Sequence, residues 1–394
     1  MSTLLPRLNR RVLTVFLLVS LPAFIVGVAV VLAIGQARLR DAGGRHLEDV
    51  AHQTAASVDH YVYRRILDVS LIGRSPELRQ EAALGSARPV DQKRIEAIDS
   101  DWINRRADLP EKVSLLRSPA SRFLADLVAQ DRIYREMLLT DRVGRLVAAS
   151  AETSDYFQAD EDWWKAAAGD GHTPGASVSD VRWDDSSRTL GVEIAVPVFE
   201  PDSNVFAGLL KAVVDSRELL AVVGGVQLGN TGEAALLRRN GTIVFSREVG
   251  DPNARFAGAE TMRDRLAAQP EGEMLSGASF RVLPAGGEAR MVGIAPSQLG
   301  RSYDNLQWVV AVSQDESELL APMQRVGWYL LGVVGLTATM LLLAALYFSL
   351  RLSSSVTEDL VLVERARVSH VGDEHAADAS VPPRDVPPNV RMAG

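Results

Sequence analysis

Two short segments in the middle of the chain combine aromatic and charged side chains, which are the residue types that bind small molecules. The segments are residues 154–164 and 181–184. Aromatic ring faces attract cations and stack on heterocycles, and a nearby carboxylate strengthens the attraction for a cation. The candidate ligand-binding residues are Tyr156, Glu161, Trp163, Trp164, Arg182 and Asp184. We therefore expect a small-molecule pocket here.

The same residues also have a purely structural interpretation. Trp and Tyr side chains bury large areas and dominate the cores of small modules. The acidic residues at 160–162 could cap the helix that carries Trp163 and Trp164, because acids are favoured at helix N-termini. Glu161 and Arg182 could form an ion pair. The segment could thus bind a ligand, or belong to a module that only transmits a signal or dimerises.

The residue types needed for most catalysis are missing or wrongly spaced. The chain of 394 residues has no Cys, so it contains no thiolate nucleophile and no Cys-based zinc site. Its six His include no pair spaced by four residues, and neither a Gly-x-Ser-x-Gly elbow nor a phosphate-binding Gly-rich loop is present. A net charge of −8 argues against nucleic-acid binding. We expect a protein that is not an enzyme and has no cofactor or metal.

Two uncharged runs, at residues 12–34 and 326–350, are long enough to cross a membrane. A helix of that length spans a hydrocarbon core of about 30 Å. The first run exceeds the ~7–15 apolar residues of a signal peptide, which favours an uncleaved anchor over a cleaved leader. Trp328 and Tyr347 lie near opposite ends of the second run, as is typical of a spanning helix.

The Arg distribution predicts the orientation of these spans. Arg351, Arg365 and Arg367 follow the second span and only Arg325 precedes it, whereas Arg residues balance around the first span. The positive-inside rule then places the tail, residues 351–394, in the cytoplasm. With two spans, residues 1–11 are cytoplasmic as well and the segment between the spans lies outside. We expect a double-pass protein of the bacterial inner membrane.

Apolar periodicity between the spans predicts an α+β fold. Apolar residues at steps of three and four predict a long helix over 35–80, with a weak point at Gly43-Gly44, and Ser118-Pro119 begins another helix. A first module is expected over 81–225 and a second over 226–325. Their strands are expected at 136–140, 145–149, 176–181, 190–198 and 207–214, then 233–238, 242–246, 280–283, 289–294 and 308–313. Pro197 should end its strand, because proline cannot donate to a central ladder.

The tail after the second span carries an amphipathic pattern over 351–373. It resembles the first helix of a HAMP signal-relay module, and the second HAMP helix is missing. Residues 376–394 are rich in Pro and polar residues and are expected to be disordered.

Taken in order, these elements resemble the double-Cache sensor family: a span, a long helix, two PAS-like antiparallel-sheet modules, and a second span. The resemblance covers about residues 40–325. The segments that carry it are residues 154–164, 181–184, 194–198, 208–213, 230–234 and 239–241. It implies a double-Cache fold with the ligand site in the membrane-distal first module.

The match departs from the amino-acid-binding members of that family. They carry Tyr, then Arg five positions on, then Trp two further, then Tyr; here Glu161 stands at the Arg position. The Asp of their last strand, which holds a ligand ammonium, aligns with Val213. An amino-acid carboxylate would meet Glu161, and two desolvated anions repel. The resemblance therefore implies a neutral or cationic small molecule in preference to an α-amino acid.

Together these features predict a transmembrane sensor that binds a small molecule outside the cytoplasm and signals through a separate cytoplasmic protein. A homodimer packed along the 37–75 helices is expected. Two alternatives stay open: a non-sensing membrane scaffold or accessory subunit that binds another protein, and a truncated sensor kinase or cyclase that has lost its output domain.

Overall fold

The structure is a computed structural model that describes residues 10–104, 106, 108–169, 173–247, 254–268, 277–285 and 287–377. Residues 38–321 form one compact unit, and the residues up to Ala37 together with those from Pro322 onward form another. The tail expected to be disordered lies outside the described residues from position 378 onward.

Along the chain, one long helix comes first and another comes last, with shorter helices and strands between them. The helices are α1 (Arg10–Ile72), α2 (Pro76–Ser86), α3 (Gln92–Ile103), α4 (Pro110–Leu116), α5 (Pro119–Gln130), α6 (Asp162–Ala168), α7 (Arg217–Gly224), α8 (Ala259–Ala267) and α9 (Glu316–Ala377). The strands are β1 (Tyr134–Thr140), β2 (Leu146–Ala149), β3 (Ser177–Val178), β4 (Arg182–Asp184), β5 (Thr189–Phe199), β6 (Phe206–Asp215), β7 (Gln227–Leu228), β8 (Gly232–Arg238), β9 (Ile243–Ser246), β10 (Ala278–Val282), β11 (Arg290–Pro296) and β12 (Trp308–Asp315).

The helices α1 and α9 contain the apolar runs expected to span a membrane. Their most apolar windows have mean hydropathies of 1.8 and 1.9, so both helices are long and apolar enough to cross a bilayer. Helix α1 continues without a break through Gly43-Gly44 and ends at Ile72, earlier than the expected residue 80. The amphipathic segment 351–373 is part of α9.

The strands form two six-stranded antiparallel sheets whose central strands follow the same order. The first sheet runs β2-β1-β6-β5-β3, with β4 also paired to β5; the second runs β10-β11-β12-β8-β7, with β9 paired to β8. In each sheet the opening hairpin (β1–β2, β8–β9) adjoins the last strand (β6, β12), which in turn adjoins the long strand before it (β5, β11). The α+β class and the two sheet modules are therefore confirmed.

One face of each sheet packs on the long helix α1. The apolar residues spaced by three and four along α1, such as Leu47, Val58 and Val69, are completely buried in one cluster with strand residues of both sheets. Each such side chain contributes about 1.5–3 kcal/mol when fully buried. Helix α5 begins as expected, because the Ser118 hydroxyl accepts a hydrogen bond from the Ser121 N–H at 3.0 Å and Pro119 occupies the first helical position.

Glycines in two elements allow this close packing on α1. A Cβ at Gly43 would lie 2.3 Å from Leu319 Cδ1 at the start of α9, and a Cβ at Gly293 on β11 would lie 2.3 Å from the backbone of Leu47. A larger residue at Gly293 would push β11 away from the α1 backbone, whereas one at Gly43 would displace the Leu319 side chain. The sequence feature interpreted as a weak point in the helix is thus a close-contact position.

The expectation that Pro197 ends its strand is wrong. Strand β5 continues through Pro197 to Phe199, and Pro197 pairs with Leu209 on β6. On the other side of β5, strand β3 pairs only with Ala195 and Ile194. Pro197 therefore lies where β5 has a neighbour on one side only, and its missing N–H interrupts no ladder.

Candidate functional site

The second face of the first sheet, which lies under α6, carries buried charged residues. Glu136 on β1 and Glu193 on β5 both pair with Val213 on β6, so the three side chains share one face. Lys211, two residues before Val213, projects from the same face. Glu136 and Glu193 are each 4% exposed and Lys211 is 7% exposed. Charges this deep require partners.

These partners form a compact group, which we call the Lys211 cluster: Glu136, Trp163, Asp184, Glu193 and Lys211. The ammonium nitrogen of Lys211 lies 3.0 Å from Glu193 Oε1 and 4.0 Å from Asp184 Oδ2. It also lies 5.3 Å from the centroid of the Trp163 ring. A cation on an aromatic face between carboxylates is the arrangement expected for a cationic ligand. Here a side chain of the protein occupies it.

Glu136 is held differently from the other carboxylates of the cluster. Its Oε1 accepts a hydrogen bond from the Ser186 hydroxyl at 2.9 Å. Its Oε2 is buried and has no hydrogen-bond partner among the described residues. Burial raises the pKa of Glu136 to about 7; Lys211 lowers this pKa, while Asp184 and Glu193 raise it. Glu136 is therefore about half protonated near neutral pH.

A second polar atom of the cluster is also buried without a partner. Trp163 is 4% exposed, and no hydrogen bond from its Nε1–H is formed within the described chain. A buried polar group that lacks a partner costs about 1–3 kcal/mol. Such groups are rare in native proteins and call for a specific explanation, such as a bound molecule. The cluster thus offers one acceptor, Glu136 Oε2, and one donor, Trp163 Nε1.

The hairpin formed by β4 and the start of β5 closes the cluster from one side. Arg182 on β4 forms an ion pair with Glu193, and its side chain is 45% exposed. Asp184 accepts a hydrogen bond from the Ser187 N–H at 2.7 Å. Ser186 reaches Glu136 from the same turn. The hairpin therefore contributes three contacts that a ligand could rearrange.

The structure brings together three of the six residues that the sequence singled out. Trp163 and Asp184 belong to the Lys211 cluster, and Arg182 contacts it through Glu193. Trp164 follows on α6, and its Nε1–H donates to Thr140 Oγ1 at 3.1 Å. Glu161 is exposed at the N-terminus of α6 and forms no side-chain capping bond. The ion pair considered between Glu161 and Arg182 is replaced by Arg182 with Glu193.

Tyr156 belongs to the same buried apolar group as Trp163 but packs on a different partner. Its ring centroid lies 5.7 Å from that of Trp102. Burial raises the pKa of Tyr156, so its hydroxyl stays protonated. Beside it is a cavity of about 480 Å³ whose lining includes Arg94 and Arg145. Arg145 pairs with Asp141 at 2.6 Å, which makes this arginine structural.

Sequence reasoning missed Glu136, Glu193 and Lys211, although a signal was present. Glu193 and Lys211 are charged residues within apolar stretches of their strands, and Lys211 interrupts the run Gly-Leu-Leu-Lys-Ala-Val-Val, whereas Glu136 follows Arg135 at the start of β1. A charge at an inward position of a buried strand is expensive unless it is paired or functional. Among the described residues, no group of three or more His, Asp or Glu could hold a metal ion.

Asp180, just before the hairpin, connects this part of the first sheet to the second sheet. Asp180 lies two residues before Arg182; its Oδ1 accepts a hydrogen bond from Trp308 Nε1 at 2.8 Å, and its Oδ2 pairs with Arg238. Trp308 begins β12, the strand that leads into α9. A displacement of the hairpin would therefore act directly on the second sheet.

Two glutamates at the start of α9 form ion pairs and hydrogen bonds with neighbouring elements. Glu316 pairs with Arg40 on α1 and, at 2.7 Å, with Arg281 on β10. These cations lower the pKa of Glu316 against the opposing effect of burial. Glu318 accepts hydrogen bonds from the Thr231 hydroxyl and from the N–H groups of Asn230 and Thr231, which lower its pKa to about 2. Both carboxylates are ionised at neutral pH.

The family model described as a Cache domain matches residues 36–323. No curated protein sequence matches the chain.

Several solved structures are similar to this chain over most of their own length. The ligand-binding domain of the amino acid chemoreceptor PctB of Pseudomonas aeruginosa PAO1, in complex with L-Arg, is 16% identical, with 71% of this chain and 97% of that chain covered and a TM-score of 0.41. The ligand-binding domain of chemoreceptor CtaA of Pseudomonas fluorescens, in complex with L-isoleucine, is 15% identical, with 73% and 98% covered and a TM-score of 0.44. The PctC domain of Pseudomonas aeruginosa PAO1 with GABA is 15% identical, with 69% and 100% covered and a TM-score of 0.43.

Proposed function

The chain belongs to the Cache domain family, and on this premise we propose that it is a small-molecule sensor whose ligand binds at the Lys211 cluster. The observation that carries the proposal is a pair of buried polar atoms, Glu136 Oε2 and Trp163 Nε1, that have no hydrogen-bond partner among the described residues. They lie beside buried charges and under a hairpin with a half-exposed arginine. A bound molecule that accepts from Trp163 and donates to Glu136 removes both penalties.

The charges of the cluster favour a neutral or cationic ligand over an α-amino acid. Among the described residues no cation forms an ion pair with Glu136, so a ligand N–H or ammonium can complete its contacts. The ammonium of an amino acid would compete with Lys211 for Asp184 and Glu193. Its carboxylate would face three carboxylates, and the two nearby cations, Lys211 and Arg182, already pair with Glu193. Desolvated like charges are costly in a closed site.

Of the residues predicted from the sequence, Trp163, Arg182 and Asp184 are assigned to this site in the proposal. Trp163 supplies the N–H donor and the aromatic face. Arg182 and Asp184 belong to the β4–β5 hairpin, which moves when the ligand binds. Tyr156 and Trp164 support the sheet face around it. Glu161 stays a prediction, as an exposed carboxylate at the N-terminus of the helix that carries Trp163.

The proposal includes a membrane anchor and a signalling route. Helices α1 and α9 cross the bacterial inner membrane, residues 38–321 lie outside the cytoplasm, and a homodimer signals through a separate cytoplasmic protein. Ligand binding moves the hairpin, Asp180 passes the movement to Trp308, and β12 passes it to α9. The contacts of Asp180 and Glu316 support this order of events.

Binding measurements on the full chain in lipid nanodiscs test the site. The probes are putrescine, choline and the neutral heterocycle imidazolidinone, with the common L-amino acids as competitors for comparison. Thermal shift and calorimetry should show saturable binding of at least one of the first three. Glu136→Gln should weaken a cationic probe more than tenfold. Trp163→Phe, which keeps an aromatic ring but removes the N–H donor, should weaken imidazolidinone, whose carbonyl oxygen can accept from that N–H.

The matched control is Glu96→Gln, an exposed carboxylate on α3, which should leave affinity unchanged. Tight binding of an ordinary L-amino acid would contradict the ligand class. Unchanged binding in both Glu136→Gln and Trp163→Phe would place the ligand elsewhere and contradict the site.

A further inference from the structure

The two sheets can be compared position by position because their last strands end alike. Strands β6 and β12 end in Asp215 and Asp315, each of which pairs with an arginine. Counting back four residues from these ends sets Lys211 of the first sheet against Ala311 of the second. In each sheet this position pairs with the strand of the opening hairpin and with the strand before the last. Ala311 therefore occupies the position that holds the buried cation in the first sheet.

Small side chains leave this face of the second sheet open. Ala311 pairs with Ala235 on β8, and Ser313 lies two residues further along β12. A cavity of about 240 Å³ lies over these residues. Its lining is mostly apolar and includes Ile243, Phe256, Val282, Pro284 and Val292. An engineered apolar cavity of about 150 Å³ holds a benzene molecule, so this one has room for a single ring with a short substituent.

Two arginines line the cavity, and their charges are balanced differently. Arg290 pairs with Glu233 at 3.4 Å and with Asp315 at 3.2 Å, so carboxylates of the protein already neutralise it. Arg255 is exposed, and within the described chain it forms one hydrogen bond, at 3.4 Å to the carbonyl of Asn240. No carboxylate of the described residues pairs with it. Arg255 therefore offers a guanidinium to an anion at the edge of an apolar cavity.

We propose that this cavity of the second sheet is a second small-molecule site, which takes an apolar carboxylate of about one ring in size. The apolar body lies on Ala235, Ala311 and Val292, and the carboxylate pairs with Arg255. This site is separate from the Lys211 cluster and differs from it in preference, because the first favours a neutral or cationic molecule and the second an anion with an apolar body. The second site lies on the sheet whose strand β12 leads into α9.

Binding to the full chain in lipid nanodiscs tests this site, with benzoate, phenylacetate and 3-methylbutyrate as probes and empty nanodiscs as the blank. Saturable binding of at least one carboxylate is expected. Arg255→Gln should weaken that carboxylate about tenfold. Benzyl alcohol, which has the ring without the charge, should bind equally to the wild type and to Arg255→Gln.

Ala311→Leu fills the cavity and should abolish carboxylate binding. If that variant does not fold, Arg255→Gln decides the outcome, because an exposed side chain is replaced there. The matched control is Arg263→Gln, an exposed arginine on α8 outside the cavity lining, which should leave binding unchanged.

Variants of the first sheet test whether the two sites bind independently. Glu136→Gln and Trp163→Phe should leave carboxylate binding intact even if the Lys211 cluster proves to bind nothing. Three outcomes would overturn the second site: no saturable binding of any of the three carboxylates, unchanged affinity in Arg255→Gln, or loss of carboxylate binding in the first-sheet variants.

Discussion

The two sheets of this molecule share a strand order and an approach to α1, yet their opposite faces are filled in contrasting ways. In the first sheet Lys211 lies among three carboxylates and an indole ring, whereas Ala311 at the matching position of the second sheet leaves a cavity. The order of the four central strands is the same in both sheets. The side chains of this face differ at several positions, since Lys211 and Glu193 of the first sheet align with Ala311 and Val292 of the second. These substitutions, and not the strand order, decide whether the face becomes a charged cluster or a mostly apolar pocket.

The Lys211 cluster is stable only when all of its charged members are present. Burying an ion pair costs desolvation, and the pair balances that cost only while both partners are present. Removing one partner leaves an uncompensated charge. The apolar cavity of the second sheet has no such dependence, so substitutions at matching positions should have unequal effects.

The largest expected effect is that of Lys211→Met. It leaves Asp184 and Glu193 buried beside Glu136 without their shared cation, and should lower the free energy of unfolding by about 3–5 kcal/mol. Thermal and denaturant unfolding followed by Trp fluorescence measures this. Lys93→Met, on the exposed surface of α3, is the control, and a loss below 1 kcal/mol in Lys211→Met would show that the cluster is not a coupled unit.

The second expected effect is a pH dependence centred on Glu136. Its pKa is about 7 in the folded protein against an ordinary value of 4.5, so the folded state binds this proton more tightly. The stability from this group is fully present below about pH 4.5 and is lost as pH rises through 7, a change of about 3 kcal/mol. Unfolding measured from pH 4.5 to 8 should show this decline.

Glu136→Gln should remove that part of the pH dependence and be the more stable form above pH 7. The comparison with this variant is needed because Asp155, whose pKa burial raises to about 6, shifts stability in the same direction. Parallel pH profiles for the wild type and Glu136→Gln would contradict the assignment.

A smaller effect is expected at the contact between the sheets. Asp180→Asn weakens the bonds to Trp308 and Arg238 and should cost about 1–3 kcal/mol, since hydrogen bonds to charged groups contribute that much. Asp185→Asn is the matched control, because Asp185 accepts from the indole N–H of Trp183 at 3.0 Å on the surface. Equal losses in the two variants would show that Asp180 has no special part in joining the sheets.

The smallest effect is expected at Glu161, the glutamate singled out from the sequence, and it distinguishes this residue from Glu136. Glu161→Gln should change the free energy of unfolding by less than about 0.5 kcal/mol, because its side chain is exposed. Titration of the same variant with putrescine tests its predicted role in binding. If Glu161→Gln clearly loses affinity for putrescine and Glu136→Gln does not, the residue that selects cationic ligands is Glu161 at the start of α6 and not Glu136 on the sheet.

Much of the fold could be predicted from the sequence because its signals are local. The spacing of Leu47, Val58 and Val69 identifies the buried side of α1, and Ser118-Pro119 identifies the start of α5. Strand positions in both modules follow from apolar runs bounded by turns. Pro197 shows the limit of such rules, since its effect depends on whether a neighbouring strand reaches that far.

The sequence alone established the two long apolar runs, the helix that follows the first of them, the main strands of both sheets, the lack of cysteine, and the aromatic and acidic segment around Trp163. Tertiary structure alone decided which charges meet. Glu136, Glu193 and Lys211 lie far apart in the chain, and strand register places them on one face, while Glu161 is left in solvent. Period-two patterning tells which residues of a strand share a face, but not which strand lies beside it. That pairing depends on the summed packing of distant segments, which no local pattern encodes.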